Sequence, residues 1–267
     1  MSFPWSKIDG VAAEDDLWML FHENSKSSRY EPAPPDDTLI ATVLNFWDVL
    51  PYEGYEQMPL PADLAPLDRG LSDLILERSA GQSLSPDPIT LTQLATLLHC
   101  AYGITRVHDK GLPKPLLAPS VGGPHPLELY LHAAHVESLA AGLYHFNLRE
   151  RRMDLVQPGD CSRQIAAALK QPELGLNMSL MIFITAVFER VIVKHGDRGY
   201  RFALLDAGHI AQNINLAAAA LDLCSVNIGA FLDREIDHLI GLDGIAHSTL
   251  YLVGVGKNLS EAEQPAL

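Results

Sequence analysis

Positive charge is scarce in this 267-residue chain: 19 Lys and Arg stand against 33 Asp and Glu, a formal net charge of −14. A nucleic-acid-binding surface needs a basic face, so this balance speaks against one. It speaks against an anionic membrane surface for the same reason. Cysteine is scarcer still. Cys100, Cys161 and Cys224 are odd in number, far apart and without metal-ligand spacing. That excludes a disulfide framework and points to reduced thiols in the cytoplasm. Long apolar runs are missing too. The N-terminal "MSFPWSKIDG" has no apolar signal core. The longest run, Leu180 to Phe188, is about half of the ~20 residues a membrane helix needs. There is no Walker pattern, GxGxxG fingerprint or GxSxG elbow, which argues against a P-loop, a Rossmann site and a serine-hydrolase nucleophile. His125, His132 and His135 lie close together, but His132 and His135 point to opposite faces of a strand, and no Cys or carboxylate completes a set. No metal is expected, because zinc needs three or four convergent ligands.

What is present is an ordinary globular composition, 48% hydrophobic and 19% charged, with enough chain for one large domain or two small ones. "AEDDLWMLFHENSK" has the pattern of an amphipathic helix with Leu17, Leu20 and Phe21 as its stripe. Residues 31–70 are proline-rich and predict an irregular wrap. From Leu71 the chain turns compact. "LSDLILERS" and "TLTQLATLLHCAYG" predict helices, and Leu91, Leu94, Leu97 and Leu98 share one face of the second. "PLELYLHAA" alternates like a strand. "GLYHFNLRERRMDLVQPGD" predicts a hairpin, with Asp160 capping a helix through Lys170. "MSLMIFITAVF" predicts a buried central strand. "YRFALLDAGHIAQNINLAAAAL" predicts a long buried or interfacial helix with a polar stripe of Asp206, His209 and Asn213. "CSVNIGAFLD" and "STLYLVGVG" add two strands. Helices and strands mix without a regular βαβ rhythm, so the fold class is α+β. The expected organisation is an N-terminal helix and wrap over 1–70, a compact domain over 71–258 and a tail over 259–267.

The cations that do exist cluster oddly. "RVIVKHGDRGYRF", residues 190–202, holds three arginines, a lysine and a histidine directly after the most apolar strand. Taken alone, the stretch is most simply a solvated helix end. Its position between a buried strand and a buried helix calls instead for an anion, either a carboxylate or a bound phosphate. Two glycine-bearing turns, "APSVGGPHP" and "NIGAF", are places where backbone can approach a flat or anionic ligand. Each is, alone, an ordinary turn.

Read in order, "FHENSK", "ERSAGQ", "ITLTQLATLLHCAYGITR", "APSVGGPHPLELYL", "GLYHFN", "KHGDRGYRFALLDAGHIAQNINLAA" and "IGAFLD" resemble the SagB-type dehydrogenases of the FMN-dependent nitroreductase superfamily. The resemblance covers most of the chain. It implies a nitroreductase-like mixed sheet flanked by helices, a homodimer, and FMN bound between subunits. It further implies oxidation of a thiazoline or oxazoline on a peptide or carrier-bound substrate in natural-product biosynthesis, beside a cyclodehydratase or synthetase partner. Hydride passes to flavin N5, and oxygen restores the flavin. The family's Lys-Tyr pair falls on Lys194 and His195, with Lys194 as base; a lysine base has to be desolvated or crowded by cations. His195 departs from the family's tyrosine, as His125 does in the glycine turn, which leaves the substrate open. By the same resemblance Arg78, Ser79 and Lys257 meet the flavin phosphate, with Arg201 adding a guanidinium at a helix N-terminus. Ser120, Gly122 and Gly123 approach the ribityl chain or ring edge, and Gly229 and Ala230 present N–H groups toward N5. Two rival readings stand beside this one: an NAD(P)H-driven nitro or quinone reductase, and a non-catalytic scaffold of a synthetase complex.

Overall fold

The computed structural model describes residues 17–27, 50, 52–78, 84–104, 116–120 and 125–258. Ser79, Gly122, Gly123 and the tail from 259 lie outside these residues. Among the described residues, strands form a single sheet. Its order is β1 (Glu56–Pro59), β5 (Arg152–Pro158), β4 (Gly142–Asn147), β3 (Leu127–Ala133), β6 (Leu180–Val187), β8 (His247–Asn258) and β2 (Leu84–Ser85), with β7 (Cys224–Ile228) also paired to β8. Every one of these pairings is antiparallel, so the expected mixed sheet is realised as an antiparallel one.

The helices in chain order are α1 (Leu17–Asn24), α2 (Leu71–Glu77), α3 (Leu91–Tyr102), α4 (Ser162–Ala168), α5 (Pro172–Leu176), α6 (Glu189–His195), α7 (Arg198–Ala220) and α8 (Asp233–Leu239). Local chemistry explains several of their ends. Thr90 and Gln93 form a reciprocal capping box at the start of α3, which satisfies two otherwise orphaned N–H groups. The N-cap of α4 is Cys161 rather than the expected Asp160, which lies one residue before it and accepts bonds from the Ser162 N–H at 2.9 Å and hydroxyl at 2.6 Å. That helix stops at Ala168, two residues before the expected end.

The sheet is covered on both faces. One face packs Leu129, Leu131, Ile182, Ile184, Val253 and Val255 against α3 and α7. The other packs Tyr130, Phe183 and Leu252 against Ile165 of α4 and Ile236 of α8. The alternation read in "PLELYLHAA" is therefore real, but both sets of residues are buried. An antiparallel strand shows polar residues to water only where one face is left open. In β3 the even positions Glu128, Tyr130 and His132 turn to the α4 side, which puts a charge inside the molecule.

Two expectations change and one is refined. Part of the wrap is ordered: residues 56–59 form β1 and pair with β5. The 190–202 stretch is helical, since α6 follows β6 directly and α7 begins at Arg198. The α1 stripe is open to solvent within one chain, with Leu17 at 81%, Leu20 at 48% and Phe21 at 37% exposure.

Candidate active site

The β6–α6–α7 corner brings the sequence-selected cations together. α6 is seven residues long and buries only Val191. Gly196 ends it with φ +54°, a conformation that side chains with a Cβ resist. Gly199 then lets α7 approach: a Cβ there would lie 2.9 Å from the Val191 carbonyl oxygen. The last turn of α6 carries Lys194, which is exposed, and His195, which is half-buried. The His195 ring meets Phe202 edge-on, with centroids 4.9 Å apart. The Arg198 guanidinium sits 5.8 Å from the same phenyl ring.

The three arginines diverge. Arg190 turns inward and pairs with Glu128 of β3. Arg198 donates to the Ser25 carbonyl at 3.0 Å. Arg201 donates to the His22 carbonyl at 2.6 Å and lies 5.6 Å from the Phe21 ring centre. The last carbonyls of α1 have no partners within their own helix and carry its negative dipole end, so cations suit them. Arg201, the guanidinium expected near a phosphate, here holds α1 against the corner. "FHENSK" and "KHGDRGYR", far apart in sequence, thereby meet.

Behind Arg190 lies a buried charged chain that the sequence reading took only for strand residues. Glu128 accepts from His145 Nε2 at 2.9 Å as well as from Arg190. His145 Nδ1 faces Asp154 Oδ2 at 3.9 Å. Arg152 donates to the other Asp154 oxygen at 2.8 Å. Tyr52 covers this chain, its ring 4.7 Å from His145 and its hydroxyl 2.6 Å from that of Tyr130. Burial opposes ionisation of Glu128, yet His145 and Arg190 hold it down at about 2. Burial also opposes a charged His145, but the Asp154 and Glu128 carboxylates outweigh it and raise the ring above its ordinary value. The signal was visible as a Glu in "PLELYL" and a His in "GLYHFN", polar residues inside apolar strands.

The polar stripe of α7 fastens neighbouring segments. Ser120 donates to Asp206 at 2.7 Å, His209 contacts the Pro119 carbonyl at 3.1 Å, and Asn213 donates to the Cys100 carbonyl at 3.1 Å. Ser120 is thereby tied to the same long helix as Arg201. Nearby, His125 meets Tyr102 edge-on, and burial pushes its pKa down to about 4, so the ring is neutral near pH 7. The other selected residues sit on separate elements. Gly229 and Ala230 are exposed where β7 ends. Arg78 is exposed at the end of α2, and Lys257 is half-buried beside Ser85 of β2.

A model of the nitroreductase family matches residues 75–257. The chain belongs to the nitroreductase family. Nitroreductase-family proteins are in general flavin oxidoreductases, and this one is an oxidoreductase of that family. A nitroreductase-family protein of Methanocaldococcus jannaschii is 31% identical over 190 residues, covering 71% of this chain and 91% of that one. The trifolitoxin-processing protein TfxB of Rhizobium leguminosarum bv. trifolii is 26% identical, covering 91% of this chain but 61% of TfxB. Among solved structures the fold is shared with a nitroreductase-family chain of Anabaena variabilis (TM-score 0.72, 22% identity, 90% of this chain and 47% of that one). It is also shared with the Escherichia coli microcin synthetase McbBCD complex with truncated pro-MccB17 bound (TM-score 0.61, 18% identity, 91% and 92%). A third match is a Desulfovibrio desulfuricans structure in complex with FMN (TM-score 0.51, 14% identity, 75% and 92%). No described helix is long and apolar enough to cross a membrane.

Proposed function

We propose that this nitroreductase-family protein is an FMN-dependent dehydrogenase that oxidises an azoline or related ring on a peptide or carrier-bound substrate. The observation that carries the reading is the corner itself: a short helix ends on Lys194 and His195, and arginines on either side bind it to β3 and to α1. The likeness to TfxB, a toxin-processing protein, supports a peptide substrate. The shared fold with the microcin synthetase complex is in keeping with a cyclodehydratase or synthetase partner.

The residues present fit a flavin. Gly229 and Ala230 are exposed at the end of β7, where their backbone is accessible to a flat ring. Arg78 and Lys257 offer accessible cations for the phosphate, with Ser79 next to Arg78 in sequence. Arg201, which holds α1, is a further candidate cation for the phosphate. Bound FMN supplies a two-electron acceptor for hydride. The chain's own part is acid–base. The azoline Cα–H is acidified by the flanking carbonyl and imine, and Lys194 takes that proton as hydride departs from the adjacent ring carbon. His195, braced by Phe202, orients the ring or donates to it.

Lys194 is exposed in one chain, and a lysine base calls for a dry surround. A second subunit would supply it. Leu17, Trp18, Leu204 and Leu205 leave apolar surface exposed on α1 and α7, in keeping with a homodimer. The test is to load the full chain with FMN and incubate it in air with a short thiazoline-bearing peptide. Mass spectrometry should find loss of two hydrogens from the ring. An unchanged ring together with rapid NADH-driven reduction of a nitroarene would replace this reading with a general reductase. Failure to take up FMN at all would favour a scaffold.

A further inference from the structure

We propose that Glu128 is a positioning residue for the active-site helix, holding α6 through Arg190 while His145 and Asp154 hold Glu128 from behind. The inference rests on Lys194 and His195 being the catalytic pair. α6 cannot hold itself. Seven residues are too few for a stable isolated helix, its N-cap Phe188 makes no side-chain cap bond, and it buries only Val191. The Arg190 and Glu128 side chains are 10% and 11% exposed. An ion pair so enclosed is expensive to break on one side, because the remaining charge stays buried.

Each carboxylate oxygen of Glu128 has its own partner: Oε1 takes Arg190 and Oε2 takes His145. Glu128 therefore cannot rotate toward one partner without leaving the other. His145 is fixed in turn. It is fully buried, its Nδ1 side faces Asp154, and Tyr52 and Tyr130 stack against its ring. Arg152 bonds the Oδ1 atom of Asp154, while Oδ2 faces His145. From the β6 side Thr185 donates to the Glu128 carbonyl and contacts His247. Among the described residues, the charged and titratable groups facing Glu128 and His145 include Arg190, Asp154, Arg152, Tyr52, Tyr130, His247 and Tyr102, and they come from α6, β5, β3, β8, α3 and the segment before β1. Arg190 lies one helical turn before Lys194, the spacing at which side chains on a helix are neighbours. A rigid strand carboxylate fixes the first turn of α6, and the first turn sets where the last turn presents Lys194 and His195.

Two readouts test this without substrate or flavin chemistry. Hydrogen exchange over 189–196 should accelerate by about tenfold or more in Glu128→Gln, while α3 keeps its wild-type protection. Labelling of Lys194 by acetic anhydride should shift its pH profile to lower pH in the same variant, since the Glu128 charge beside Arg190 is then gone, while Lys170 labels as before. Arg190→Gln should reproduce both changes and serves if Glu128→Gln fails to fold; Arg190→Lys should restore much of the protection. The proposal is overturned if 189–196 exchanges as in wild type, if all segments loosen together, or if the Lys194 profile stays put. These outcomes leave the catalytic reading untouched. That reading fails separately if Lys194→Ala retains full activity.

Discussion

The two ends of the 190–201 stretch use the same residue type for opposite purposes. At the inner end Arg190 reaches a buried carboxylate that is itself bonded to a buried histidine. At the outer end Arg198 and Arg201 reach backbone carbonyls of α1, with Phe21 beside Arg201. The inner pair is sealed from water, so each charge depends on the other. The outer contacts stand near solvent, which replaces them at little cost. An acidic protein with few cations thus places one as a structural pin and two as a clasp. A guanidinium's value is set by what surrounds its partner, and the sequence alone does not show that.

The largest break in this contrast should come from Arg190→Met, which leaves the buried Glu128 with His145 alone. Urea unfolding should show a loss of about 3–5 kcal/mol; a loss no greater than that at the outer end would erase the distinction. Gly199→Ala comes next. Its Cβ would press on Val191 backbone at 2.9 Å, and separating α6 from α7 should cost about 1–3 kcal/mol, read the same way. A smaller effect should appear with pH. The folded Glu128 value lies below its ordinary 4.5, so its contribution is full above pH 4.5 and lost as pH falls toward about 2. The folded His145 value lies above its ordinary 6.5, so its contribution is full below pH 6.5 and lost as pH rises through the raised value. The stability gap between wild type and Glu128→Gln, followed across pH, should be widest between 4.5 and 6.5. Arg201→Ala should be mildest, at under about 1 kcal/mol, with faster limited proteolysis within α1 and an unaltered unfolding midpoint.

Much of the fold was legible because periodicity and punctuation agree. Thr90, Gln93 and Gly103 bracket α3, and the apolar run at 180–187 forms the expected central strand. β1 escaped notice because its four residues include Pro59 and gain their order only by pairing with β5. The 190–202 stretch reads as a helix end, but its division into two helices is set by Gly196 and Gly199, which end α6 and let α7 pack against it. The polar stripe of α7 was visible, but its partners Pro119, Ser120 and Cys100 lie about a hundred residues upstream, where spacing carries no information. The Glu128–His145 chain was out of reach for the same reason. Its members stand on three different strands, and only the sheet register brings them together.

The central claim is that Lys194 is the base of a flavin-dependent dehydrogenation. Its most direct test is the anaerobic bleaching of bound FMN by a thiazoline-bearing peptide, measured for wild type and Lys194→Ala at equal flavin content. The expected result is full flavin occupancy in both and bleaching slower by about 10²–10⁴-fold in the variant, the usual contribution of a positioned base. Bleaching at the wild-type rate in Lys194→Ala would contradict the claim and move the base to His195 or elsewhere.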